Sequence, residues 1–126
     1  MLTARDAGRA GGAVLGGAAL FQLGLAAGAP WGAGAWGGGH PGRLSAGLRV
    51  ASAVSSLVLG SVATIAASPE LVDTKTRTRV LHGAAAYLAV GTVVNGVSRS
   101  PVERVWSPVN AVGALLLLRA ASHPES

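Results

Sequence analysis

Four long apolar stretches alternate with short polar ones along the chain. From Ala10 to Ala29 the only strongly polar side chain is Gln22. About 20 residues at 1.5 Å each cover the roughly 30 Å hydrocarbon core of a bilayer, so this stretch predicts a transmembrane helix. Gly8, Gly12 and Gly16 fall four apart, as do Gly24 and Gly28. That small-xxx-small spacing lets a neighbouring helix come close. Arg5, Asp6 and Arg9 precede the stretch and are read as lying outside it.

The second stretch covers 48–67. Ser52, Ser56, Gly60 and Thr64 recur every four residues and share one helix face. The plain reading is a packing face whose hydroxyls bond to backbone; the sharper one is a polar transport path. Ser68-Pro69 ends the stretch, and Glu70, Asp73, Lys75, Arg77 and Arg79 follow. This segment is read as a solvated loop, with Ser68 capping a short interfacial helix and Pro69 in its first turn. The alternation Thr74-Lys75-Thr76-Arg77-Thr78-Arg79 has strand period, but a lone strand between two spans has nothing to pair with.

The third stretch, 80–97, carries His82 near its boundary, read as interfacial, and places Gly83, Tyr87, Gly91 and Asn95 on one face. An amide in hydrocarbon needs a partner, so Asn95 is expected to bond to another helix or to a ligand. The fourth stretch is too short if it starts at Pro108. Started at Pro101 it has about 21 residues and spans about 31 Å, enough to cross. Ser100 as cap, Pro101 at the first helical position and Glu103 three residues after the cap form a capping-box pattern. Pro108 then lies inside the helix, removes the backbone bond to Arg104 and bends it. Glu103, Arg104 and Trp106 are expected at headgroup level.

Ala27-Gly28-Ala29 also has the A-x-A form of a signal-peptide cleavage site. Cleavage would leave Pro30 first, and the apolar run is long for a signal sequence, so a retained helix is expected. With four spans, Arg5, Arg9, Lys75, Arg77, Arg79 and Arg119 share one side, and Arg43, Arg49, Arg99 and Arg104 the other. The excess of positive residues puts both termini in the cytoplasm.

Composition agrees. Of 126 residues, 50% are hydrophobic and only 12% charged, where a soluble domain carries about 25%. The net charge of +5 does not point to nucleic acid, because the basic residues form no stripe and no binding motif accompanies them. They fit anionic lipid headgroups. The absence of cysteine excludes disulfides and thiol catalysis.

Candidate chemistry is sparse. Gly32–Gly37 matches G-x-G-x-x-G, but no strand precedes it and no βαβ unit surrounds it, so it carries no weight. His40, His82 and His123 have no metal-ligand spacing, and no serine sits in a G-x-S-x-G elbow. What remains is the Gly- and Trp-rich connection 28–49, which shares a side with 98–108. Trp31, Trp36, Arg43, Arg49, Asn95, Arg99, Arg104 and Trp106 are the candidate ligand-binding residues, suited to an anionic headgroup or amphiphile. Glu103 and His40 are the candidate acid and base if the protein is an enzyme. The plainer alternative is that Glu103 neutralises Arg99 or Arg104 while the tryptophans anchor the bundle.

Gly28-Ala29-Pro30-Trp31-Gly32, Trp36-Gly37-Gly38, His40-Pro41-Gly42 and Leu48-Arg49 resemble a loop in a family of small four-helix bacterial integral membrane proteins. Asn95, Ser98 or Ser100, Glu103, Arg104, Trp106 and Pro108 are similar to the second half of that family. The resemblance runs from about Phe21 to Asn110, with Leu44-Ser45 standing where the family usually has Leu-Pro. It implies a bacterial inner-membrane location and four spans, and brings no reaction.

The sequence thus predicts an all-α, polytopic bundle of four transmembrane helices (10–29, 48–67, 80–97, 101–121) in a single domain, 1–126. No cofactor or metal is expected. The expected partners are membrane lipid and either further copies of the chain or another membrane protein. Three functions stay open: a non-enzymatic protein binding lipid or a partner through the two loops, a small transporter or channel subunit, and a membrane enzyme acting on an amphiphile.

Overall fold

A computed structural model describes residues 2–122 and shows an all-helical chain with no strand among them. Helix α1 runs Ala4–Ala26, α2 Ala46–Ala67, α3 Thr74–Gly96, α4 Pro101–Arg104 and α5 Trp106–Ser122. Two 3-10 turns, Gly32–Gly34 and Trp36–Gly38, lie in the connection between α1 and α2.

Two helix starts differ from the sequence reading by more than a turn, and the first helix ends at Ala26, short of 29. The first helix starts at Ala4, because the Thr3 hydroxyl accepts from Asp6 N–H at 3.0 Å and caps it; Arg5, Asp6 and Arg9 ride on its first turns. The third starts at Thr74 rather than Val80, and Ser68 caps no helix of its own. Asp73 is the cap instead, accepting from the Thr76 N–H at 3.0 Å and its hydroxyl at 2.6 Å. Lys75, Arg77 and Arg79 therefore belong to α3 and not to a solvated loop.

The Thr76 hydroxyl first, and its N–H second, hold the Asp73 carboxyl below its ordinary value of 3.8. A lowered folded pKa stabilises the fold above that value, and the contribution is lost as pH falls through the folded pKa. Between pH 6 and pH 3 the melting temperature of the native protein is expected to fall more than that of Asp73→Asn, which keeps a cap oxygen without a titrating charge. Equal falls in paired thermal melts would remove Asp73 as the cause.

The fourth stretch is interrupted at Val105 between α4 and α5. Pro108 supplies the reason: it has no N–H to give to Arg104. The capping box is half formed. Ser100 Oγ accepts from Glu103 N–H at 3.3 Å, but Ser100 N–H donates to Ser98 Oγ at 3.1 Å. Two spans, Ala46–Ala67 and Pro101–Ser122, are long and apolar enough to cross a membrane, with 17% and 28% of their apolar windows buried in the protein. Helix α1 is as long but its mean hydropathy is lowered by Arg5, Asp6, Arg9, Gln22 and its glycines, and that of α3 by its Thr-, Lys- and Arg-containing start.

Helix α1 is the centre. It packs against α2 on one side and α5 on the other, α5 packs against α3, and α2 and α3 scarcely touch. Close approach of α1 to α2 depends on glycine, since a Cβ at Gly8 would lie 2.5 Å from the Ala66 carbonyl oxygen and one at Gly12 2.9 Å from that of Ala63. Gly16, of the same spacing, faces open space. The core is a row of leucines among alanines, with Leu15, Leu59, Leu81, Leu88 and Leu117 interleaved by Ala7, Ala66, Ala85, Ala114 and Ala120. A separate cluster of Leu25, Ala35 and Leu44 seats the α1–α2 connection. Leu2 and the last turn of α5 meet at one end of the bundle, where the Arg119 guanidinium donates to the Leu2 carbonyl at 3.1 and 3.3 Å.

Candidate functional site

Because α2 and α3 stand apart, a groove opens between them. Its lower part, about 440 Å³, is lined by Leu15, Val54, Val58, Leu59, Val62 and Val80, with Gly83, Ala84, Ser55 and Tyr87. Its upper part, about 350 Å³, shares Ser55, Leu59 and Tyr87 with the lower and lies beneath the α1–α2 connection. There the lining turns polar: Gln22, Asn95, Asn110 and Glu103 join the rings of Phe21, Trp36 and Trp106. Both volumes fall in the range of small-molecule sites, roughly 300–1,000 Å³.

The roof is held in three ways. Gly32 N–H donates to the Gly42 carbonyl at 2.8 Å and closes the connection on itself. The Trp36 indole N–H donates to Ser52 Oγ at 3.0 Å, fixing the roof to α2. Ser100 Oγ donates to the Ala33 carbonyl at 2.6 Å, fixing it to α4. Trp36 has φ of +50°, a left-handed backbone that costs a non-glycine residue of order 1 kcal/mol or more. The indole bond to buried Ser52 holds it there. Phe21 stacks on Trp31 at 5.8 Å between centroids and meets Trp106 edge-on at 5.1 Å, so α1, the roof and α5 share one aromatic cluster.

The predicted site residues separate into two groups. Trp36, Asn95 and Trp106 line the upper groove together with Glu103, which is 4% exposed. Trp31 stacks behind Phe21 without lining it. The four arginines also lie outside the lining. Arg49 Nε donates to the Ala26 carbonyl at 3.0 Å and caps α1, Arg43 lies across Gly28, and Arg99 and Arg104 are exposed. His40 is exposed in the connection and is not among the lining residues, so the groove contains the proposed acid without the proposed base. His82 is exposed on α3, and His123 lies outside the described residues. No three His, Asp or Glu side chains gather among the described residues.

The hydroxyl face of α2 packs in its first half only, since Gly60 meets nothing within 4 Å and Thr64 is exposed. Ser52 accepts from Trp36, Ser56 Oγ donates to the Ala19 carbonyl at 2.8 Å, and Thr64 bonds back to Gly60 in its own helix. Asn110 was not a sequence candidate, although it follows Trp106 by four residues and so shares its face. Gly91 leaves the room it needs, since a Cβ there would lie 2.7 Å from Asn110 Nδ2. No family model, curated protein or solved structure matches the chain.

Proposed function

We propose that this chain is an integral membrane protein, crossing the bilayer four times with both termini in the cytoplasm, that binds an amphiphile in the groove between α2 and α3. The observation that carries the reading is the continuity of that groove, apolar between the helices and joined by four polar side chains under the roof. An aliphatic chain fits the lower part and a polar head the upper.

The membrane location draws on the outer surface. Leu57, Val93, Val112 and Leu115 are all exposed, on three different helices. A soluble monomer seldom presents apolar bands of that extent, and lipid or neighbouring helices would cover them. The resemblance noted above fits the same location. Binding without a reaction is the simplest use of the groove, because among the described lining residues only Tyr87 is ionisable besides Glu103.

The test uses the protein in phosphatidylcholine nanodiscs titrated with brominated dodecyl maltoside, whose bromine quenches tryptophan. Saturable quenching is expected, since Trp36 and Trp106 line the groove. Gly83 faces open space within the lower groove, so Gly83→Phe is expected to fill it, abolish saturation and leave the melting temperature within about 2 °C. Unchanged saturation in that variant would place the amphiphile elsewhere.

A further inference from the structure

The head of the bound amphiphile can be specified further, on the reading that the groove is an amphiphile site. Sequence alone set four arginines near this end and favoured an anionic head. The geometry points the other way: we infer that the groove selects an alkylammonium, an aliphatic chain ending in a protonated amine.

Three observations carry this. First, none of the described lining residues is Lys, Arg or His, and the lining's only carboxylate is Glu103, buried beneath the roof. A phosphate or sulfate there would meet a carboxylate and none of the basic side chains that usually hold such a head. An ammonium would meet a carboxylate in a water-poor site, where the attraction between opposite charges is several times that in water. A carboxylate offers about four acceptor positions.

Second, the polar lining offers carbonyl acceptors for N–H donors. The Gln22 side-chain oxygen is buried without a hydrogen-bond partner within the protein. Asn95 and Asn110 line the same part of the groove, and each carries one side-chain carbonyl. A primary ammonium has three N–H groups to distribute among such acceptors.

Third, Phe21, Trp36, Trp106 and Tyr87 contribute aromatic rings to the same lining. Ring faces attract a desolvated cation and give an anion nothing comparable. The chain as a whole is at +5, so unspecific adsorption would rank probes in the opposite order, with anions first. A preference for the cation therefore has to come from the groove.

The experiment measures affinities of dodecylammonium, dodecanol and dodecyl sulfate for the protein in phosphatidylcholine nanodiscs by competition with brominated dodecyl maltoside. The three share a tail and differ in head. Dodecylammonium is expected to bind roughly tenfold tighter than dodecanol, the order of one charge-assisted hydrogen bond, with dodecyl sulfate weakest. Glu103→Gln is expected to bring dodecylammonium down to the level that dodecanol shows in the same variant.

If Glu103→Gln does not fold, the ranking in the native protein decides alone. Equal binding of the ammonium and the alcohol, or a preference for the sulfate, overturns the ammonium assignment while the groove stands. Failure of every probe to compete overturns the groove and the assignment with it.

Discussion

Arg77→Ala is expected to destabilise the protein by roughly 2–4 kcal/mol, the largest loss from any single charged side chain. The side chain is 4% exposed. Its Nη2 donates to the Ala66 carbonyl at 2.8 Å and its Nε to that of Ile65 at 3.3 Å. Those are carbonyls of the last turn of α2, which has no intrahelical partner for them. Truncation leaves both acceptors without this donor, that of Ala66 buried and that of Ile65 partly so. Arg77→Lys recovers only part, because a single ammonium cannot fork between two carbonyls as the planar guanidinium does.

The same junction includes α1, where a Cβ at Gly8 would lie 2.5 Å from the Ala66 oxygen and 2.9 Å from Arg77 Nη2. Gly8→Ala and Arg77→Ala should therefore be non-additive, with the double variant less damaged than the sum of the two. Melting temperatures of the four proteins in one detergent give the answer. Additive losses would mean that Gly8 and Arg77 do not share a contact.

That arginine shows why some of the fold was legible in sequence and some was not. Apolar run length located α2 and the α5 region to within a few residues, and cap chemistry at Ser100-Pro101 located the start of α4. Periodicity cannot see a polar side chain whose partner is a helix end elsewhere, so Arg77 read as solvated. A local signal was available in hindsight. Ser45 caps α2 and Arg49 follows it by four; Asp73 caps α3 and Arg77 follows it by four. In both, the arginine reaches back to the last turn of the preceding helix.

The site divided in a similar way. Trp36, Asn95, Glu103 and Trp106, which stand out in the sequence as aromatic and polar residues beside apolar spans, line the groove. The sequence could not find Leu15, Val58 or Gly83, which look like any other span residues. They form a groove only because α2 and α3 fail to close on each other. Nor could it tell that Arg49 is spent on a backbone carbonyl, which changes the charge expected of a ligand.

Gly32→Ala is expected to abolish amphiphile binding while the helices stay folded. The two limbs of the α1–α2 connection cross at Gly32, whose N–H bonds to the Gly42 carbonyl. A Cβ there would run into the His40 carbonyl oxygen and come 2.8 Å from that of Gly42. Both obstacles are backbone, so the limbs must separate, at a cost of about 1–3 kcal/mol. The strain falls on the roof, since Gly34, Ala35 and Trp36 line the groove a few residues on. The roof's apolar anchor, Leu25 with Ala35 and Leu44, is distinct from the main helical core, so the loss should stay local.

Gly39→Ala is the matched control, an identical substitution in the same connection where a Cβ meets nothing within 4 Å. Brominated dodecyl maltoside is expected to bind roughly tenfold or more weakly to the first variant, equivalent to 1.4 kcal/mol or more, and unchanged to the second. Helical content and the onset of melting should barely differ between them. Wild-type affinity in Gly32→Ala would show that the bundle alone makes the site and that the Gly- and Trp-rich connection does not roof it.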